Sequence, residues 1–385
     1  MNSTLNFITN HAQSYNITPV VTFDQPLYWK AQSVAQNDKM DDIVLRLGSF
    51  HTLMNFLGTI GKLMEGTGFG KILELLYGEN TVSHISSGKA VSRALRAHEL
   101  LVSCIYSVIL DHLYPSLDSA VNDHTSHDFL NELRSQCELL MTTKDLDNFD
   151  SYFLEEFKSR LNNFKVETSS QRTSMLWFMY LEVTDIVFCF LRGERTGDWK
   201  MHMNAVKLMR PYLAASGHNK YVAAISLYVQ QMEALPETFP HIHASFLAGN
   251  HSIWRSSRYW GGLSTDLIIE QCLMKNLKSR GGITRGRGVT DMQQAVWGMS
   301  APVIAEINGA MQELTNTNFV TSEQHKENYN SRKKRDAEDA EKMYQFLKER
   351  SPFNLPCNLR NIVSGVSASA GVNVDRAKEI GEAII

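Results

Sequence analysis

From about residue 66 to residue 249 the apolar residues recur at helical spacing, and no stretch there alternates as a half-buried strand would. A chain that gives so much of its length to amphipathic helices has to bury their apolar stripes against one another, so a helical body is the first expectation. The period draws helices from Lys89 to about Leu113, Phe129 to about Met141, Phe149 to about Phe164, Ser174 to about Leu191, Met203 to about Ala215 and Tyr221 to about Leu235. Pro115, Pro211, Pro236 and Pro240 sit at or near the ends of these segments, where a helix tolerates proline best. No fixed repeat length is present, which excludes a regular solenoid. The most apolar stretch, Met175 to Leu191, is interrupted by Glu182 and Asp185 and reads as a core helix, because a bilayer span needs about 20 mostly apolar residues.

The first 65 residues have a different rhythm. A helix from Leu5 to about Tyr15 precedes the apolar run Pro19-Val-Val-Thr-Phe-Asp-Gln25. A helix through Leu27, Ala31 and Val34, a short strand in Asp42–Gly48 and a helix from Phe50 to about Glu65 follow. Alternation of this kind predicts a small parallel or mixed sheet covered by helices. Its first strand delivers Asp24 to a sheet edge. A carboxylate there either binds a metal or caps the next helix, and capping is the commoner use.

The chain has 385 residues, 43% of them hydrophobic and 21% charged, so a sizeable core can form. The net charge of −3 gives no overall attraction to phosphate, and a nucleic-acid surface would have to be a local patch. Five cysteines, widely spaced and never in a CxxC pair, exclude a disulfide framework and a zinc-finger pattern. The N-terminal residues have no basic and apolar leader. These features predict a soluble, intracellular protein, nuclear or cytoplasmic and not secreted, with no membrane contact and no small-molecule cofactor.

After Gly249 the sequence turns aromatic and basic: His251-Ser-Ile-Trp-Arg-Ser-Ser-Arg-Tyr-Trp-Gly-Gly262. A helix from Thr265 to about Leu277 carries Glu270. The Gly- and Arg-rich stretch that follows, with Lys275, Lys278, Arg280, Arg285 and Arg287, is the best candidate nucleic-acid patch, joined by Arg255 and Arg258 upstream. Arginine bridges phosphates bidentately and aromatics such as Trp254, Tyr259 and Trp260 stack on bases. Further helices are expected from Asp291 to about Leu314, from about Arg335 to Arg350 and from Val374 to Ile385, with Ser364–Gly371 as a linker of small residues. Arg332-Lys-Lys-Arg335 resembles a nuclear-import signal or simply begins a charged helix. His241, His243 and His251 form a loose histidine group without zinc-site spacing. Gly66-Thr-Gly-Phe-Gly-Lys71 lacks the phosphate-loop register and reads as a helix break.

Three stretches carry a resemblance: Val20-Val-Thr-Phe-Asp-Gln-Pro-Leu-Tyr-Trp-Lys-Ala31, Gly48-Ser-Phe-His-Thr-Leu-Met-Asn-Phe-Leu57, and Arg258-Tyr-Trp with Asp266-Leu-Ile-Ile-Glu-Gln-Cys272. Together they resemble transposon-derived proteins with an RNase H-like DDE/D core, of the hAT type, and uncharacterised proteins of mobile elements. The resemblance implies a mainly α protein with a small α/β part: a partial RNase H-like core interrupted by a large all-helical insertion. The implied units are residues 1–65 and 250–320 for the two halves of the core, 66–249 for the insertion and 321–385 for a helical extension. Asp24 and Glu270 would hold Mg²⁺ or Mn²⁺, His51 would support them, and Arg255, Arg258, Lys278, Arg280, Arg285 and Arg287 would grip DNA, with a homo-oligomer as a further expectation. The implied reaction is DNA strand cleavage and joining by two-metal transesterification. The family's first Asp has no counterpart, since no other carboxylate precedes Asp24. The chain is therefore expected to be a fragment or an inactive derivative. The alternative is a non-catalytic helical DNA-binding or scaffold protein derived from such an element.

Overall fold

The computed structural model describes residues 1–113, 151–255, 260–268 and 330–368, together with residue 135 and single positions between 290 and 314. It opens with α1 (Asn2–Gln13), β1 (Val20–Phe23), α2 (Gln25–Asn37), β2 (Val44–Leu47) and α3 (Ser49–Leu63). The two strands pair in parallel, Val20 with Val44 through Phe23 with Leu47, with α2 as the crossover that parallel pairing requires. β2 is buried along its length, including Arg46. The expected α/β opening is present, as a sheet of two strands.

Every described element between residues 66 and 249 is helical, as the period predicted. Short helices α4 (Phe69–Leu73) and α5 (Glu79–Ser86) lead to α6 (Val91–Leu113), and α7 (Ser151–Glu167), α8 (Arg172–Thr196), α9 (Trp199–Ala215), α10 (Asn219–Thr238) and α11 (Pro240–Ser245) follow. The Gly66–Lys71 stretch is the break foreseen: Gly66 and Gly68 have φ of 76° and 101°, which glycine adopts without the Cβ penalty. Pro211 and Pro236 lie inside α9 and α10 and do not end them. The helix expected from Phe129 to Met141 lies outside the described residues.

α8 is long and apolar enough to cross a bilayer by length and composition. In the fold it is the central helix, with α9, α3 and α6 packed against it and Trp177, Phe178, Tyr180, Val187 and Phe190 almost fully buried. One continuous apolar core joins these helices to β2, α3 and α6.

Past a π-helical turn (Phe246–Asn250), β3 (Ile253–Trp254) and β4 (Gly262–Leu263) form a small antiparallel hairpin that runs into α12 (Thr265–Ile268). A last described helix, α13 (Asn330–Glu349), lies along α6. Arg96 of α6 ties it down through Asp336 and Asp339, the latter at 2.6 Å, and Met343 and Leu347 are fully buried. Lys333, Lys334 and Arg335 are exposed at its start, while Arg332 pairs with Asp336. The described part of the expected small-residue linker is ordered by specific bonds. Asn361 N–H donates to Val366 O, Ala368 N–H to Leu359 O and Ile362 N–H to Thr67 O. Phe353 and Ile362, just before it, are buried, and Asn361 and Ile362 bond the Gly66–Thr67 turn, while Ser364 to Ala368 are themselves exposed. The helix expected from Val374 lies outside the described residues.

Candidate functional site

Asp24 ends β1 and is the N-cap of α2: its Oδ1 accepts from Leu27 N–H at 3.0 Å. Beside it, α3 begins at Gly48, which has no side chain to satisfy the first N–H groups of the helix. Asp266 does so from the far end of the sequence. Its Oδ1 accepts from Phe50 N–H at 2.9 Å and its Oδ2 from His51 N–H at 3.0 Å, while His51 Nδ1 lies 3.0 Å from the same Oδ2. Asp266 is 4% exposed, and its negative charge sits where the α3 dipole favours it. A Cβ on Gly48 would collide with Asp266 Oδ2 and approach Phe23 O to 3.0 Å, so glycine is what lets the acid reach the helix. Tyr221 of α10 completes the group. Its hydroxyl pKa is pushed up first by burial, then by the charges of Asp24 and Asp266.

The structure therefore brings Asp24, His51 and the segment of the expected acidic helix to one end of the sheet, but the acid described there is Asp266. Glu270, four positions on in sequence, lies outside the described residues, as do Arg258, Lys278, Arg280, Arg285 and Arg287. Arg255 is at the start of the hairpin loop, where its N–H donates to Gly261 O. Trp254 and Trp260 are about two-fifths exposed on that hairpin.

Of the two acids expected to hold magnesium only Asp24 is among the described residues, and the described oxygens at this end of the sheet do not by themselves make up such a site. Mg²⁺ needs several free oxygen donors in octahedral array. Both Asp266 oxygens and Asp24 Oδ1 already accept hydrogen bonds from helix N-termini.

A second cluster lies in the interior. Glu194, near the end of α8, meets His202 of α9 and His251 after the π-helical turn, all three at most 3% exposed. Glu194 Oε1 is 2.9 Å from His202 Nδ1 and 4.0 Å from His251 Nε2. One candidate ligand atom from each residue lies within 4.8 Å of the others. Burial alone would raise the Glu194 pKa, but His202, His251 and then Arg46 bring it down to about 2. His251 is pushed down to about 4, by burial and then by His202, and is neutral at pH 7. Arg46, 3% exposed on β2, donates from Nη1 to His251 O at 2.7 Å and lies over the Phe246 ring, 5.0 Å from its centroid.

From the sequence, His251 was singled out but grouped with His241 and His243. His241 pairs instead with Thr18 at 2.9 Å on the surface, and neither it nor His243 joins His251. Glu194 and His202 were missed, since in sequence each is one polar position on a helix. The available signal was Gly193-Glu-Arg-Thr-Gly197, glycines flanking an acid at a helix end. A Cβ on Gly193 would lie 2.7 Å from His202 N, and one on Gly262 would collide with Glu194 O, so these glycines set the close approach.

A third feature is a cleft of about 510 Å³ lined by Gln32, Met40, Leu45, Gln231, Leu235 and Phe239. Gln32 and Gln231 bond each other across it, and it lies toward the other end of β2 from Gly48.

The whole chain, residues 1–385, matches the family described as Domain of unknown function (DUF8702) and belongs to it. No curated protein and no solved structure matches the chain.

Proposed function

We propose that this member of the family is a DNA-binding derivative of an RNase H-like strand-transfer protein, one in which the acids at the sheet end hold the fold together and do not cut DNA. The observation that carries the reading is the return of residues 262–268 to the end of β1 and the start of α3. This puts the segment preceding Glu270 beside Asp24, as a DDE/D core requires. What supports the loss of cleavage is the use of Asp24 and Asp266 as helix caps. What supports DNA as partner is the hairpin leading out of this end, with Trp254 and Trp260 exposed for stacking and Arg-rich sequence on either side.

A second reading, strand cleavage with Asp24 and Glu270 as metal ligands, is favoured by the one Asp24 oxygen, Oδ2, that takes no part in the α2 cap. The two are separated by one pair of measurements on the full chain. Anisotropy with labelled duplex and single-stranded DNA should show binding that weakens with salt. Replacing Arg280, Arg285 and Arg287 by Ala should lower the slope of log K against log salt by about 0.9 for every phosphate no longer neutralised. The same DNA with Mg²⁺ or Mn²⁺ should remain uncut. Cutting that disappears in Asp24→Ala and Glu270→Ala would establish the second reading, and absence of any DNA binding would overturn the first.

A further inference from the structure

The interior cluster gathers buried polar atoms that its own neighbours do not pair, although Arg46 Nε, itself an unpaired donor, is close by. Both Glu194 oxygens, both His202 ring nitrogens and His251 Nε2 are buried without a hydrogen-bond partner of acceptable geometry. Burying such atoms unpaired costs roughly 1–3 kcal/mol each. One His202 nitrogen carries a proton, and the other four atoms offer lone pairs, so the cluster calls for something that binds them. The tautomer of His251 is set by its other nitrogen: Nδ1 faces Phe246 O at 3.4 Å, and only an N–H can be used there. That leaves the Nε2 lone pair aimed toward the Glu194 carboxylate, 4.0 Å away, acceptor facing acceptor. A ring nitrogen fixed by a backbone carbonyl on one side and free on the other is the usual state of a metal-bound histidine.

We propose that Glu194, His202 and His251 bind one divalent cation of the zinc class, a structural metal that ties the end of α8 to α9 and to the turn before β3. Two imidazoles and a carboxylate suit zinc, whereas magnesium and calcium take oxygen donors almost alone. The surroundings hold the ligands in place. Trp199 stacks on His202 at 5.4 Å between centroids and packs against His251 at 5.1 Å, Phe190 lies 4.9 Å from His202, and Arg46 fixes the backbone of His251. Arg46 also opposes a second cation, but it acts on Glu194 less than either ring does. The rival occupant is a shared proton with buried water, in which Glu194 pairs with His202 and the water donates to the His251 lone pair.

The full chain, purified without chelators or metal-affinity resin, should carry about one zinc equivalent by mass spectrometry of the elements. Dialysis against dipicolinate should lower its Tm, and zinc chloride should restore it. Cobalt chloride added to the stripped protein should give the visible bands of a tetrahedral site. In His202→Gln and His251→Gln both the bands and the zinc should be lost, while the surface variant His241→Gln keeps them. Should those variants not fold, the wild-type cobalt spectrum and chelator response decide alone. Folded wild-type protein with less than about a tenth of an equivalent, and a Tm that neither dipicolinate nor zinc moves, would overturn the proposal. So would zinc retained undiminished in folded His202→Gln and His251→Gln.

Discussion

The sheet end and the interior cluster use the same residue types to opposite effect. At the sheet end Asp266 and His51 meet two backbone N–H groups, and each oxygen of the acid has its donor. In the interior Glu194, His202 and His251 meet mostly one another, and five of their polar atoms lack a well-aligned partner. Proximity of an acid and a histidine is therefore a poor guide to chemistry. What distinguishes a structural cap from a ligand-binding cluster is whether the protein's own donors already saturate the acceptors. By that measure the Asp266 cap at the sheet end is complete within the fold, and the interior cluster is not.

The largest test of the contrast is Glu194→Gln. The change removes the negative charge that faces His202, His251 and, more weakly, Arg46, and truncating one member of a buried charged group typically costs about 3–5 kcal/mol. Urea denaturation should show a loss of that size. A loss under about 1 kcal/mol would mean that the carboxylate's charge is not needed by the groups around it.

Next comes acid sensitivity, for which His98 serves as the buried histidine with a partner. Its Nδ1 bonds the Tyr180 hydroxyl at 2.9 Å, and burial pushes its pKa down to about 4. The unfolded chain binds this proton below about pH 6.5 and the folded chain does not. Stability from this residue is therefore full above about pH 6.5 and falls as the pH drops toward 4, by on the order of 3 kcal/mol. In His98→Gln the decline between those pH values should be shallower, measured as Tm against pH. An unchanged slope would assign the acid response to other groups.

The smaller effects separate the two caps. Asp266→Ala removes the acceptor of two α3 N–H groups and of the His51 contact in a half-buried place, and should cost about 2 kcal/mol. Asp24→Ala removes one more exposed bond and should cost about 1 kcal/mol. Equal losses would remove the distinction drawn between a distant and a local cap.

How much of this was legible in the sequence follows from the range of the forces involved. Period and turn chemistry are local, so β1, the long helices and the break at Gly66–Gly68 could be read directly. Pro211 and Pro236 fall in or near the last turn of α9 and α10, near the ends as expected, and the helices run a few residues past them. Asp24 was singled out as a metal ligand, and the structure shows the alternative considered for it, the cap of α2. Asp266 was passed over for Glu270, four positions on, since nothing local marks an acid that will cap another helix. Glu194 and His202 were invisible for the same reason: only the packing of α8 on α9 makes them neighbours.

The bond between Asp266 and the start of α3 spans 216 positions of sequence. Closing a loop of that length is an entropic cost met before the bond returns anything. The first turn of α3 thus has no native partner for its N–H groups until the intervening helices have assembled and brought the hairpin back. In folding, this end of the sheet is completed late, and its amides near Phe50 and His51 report on the assembly of the whole body more than on α3 itself.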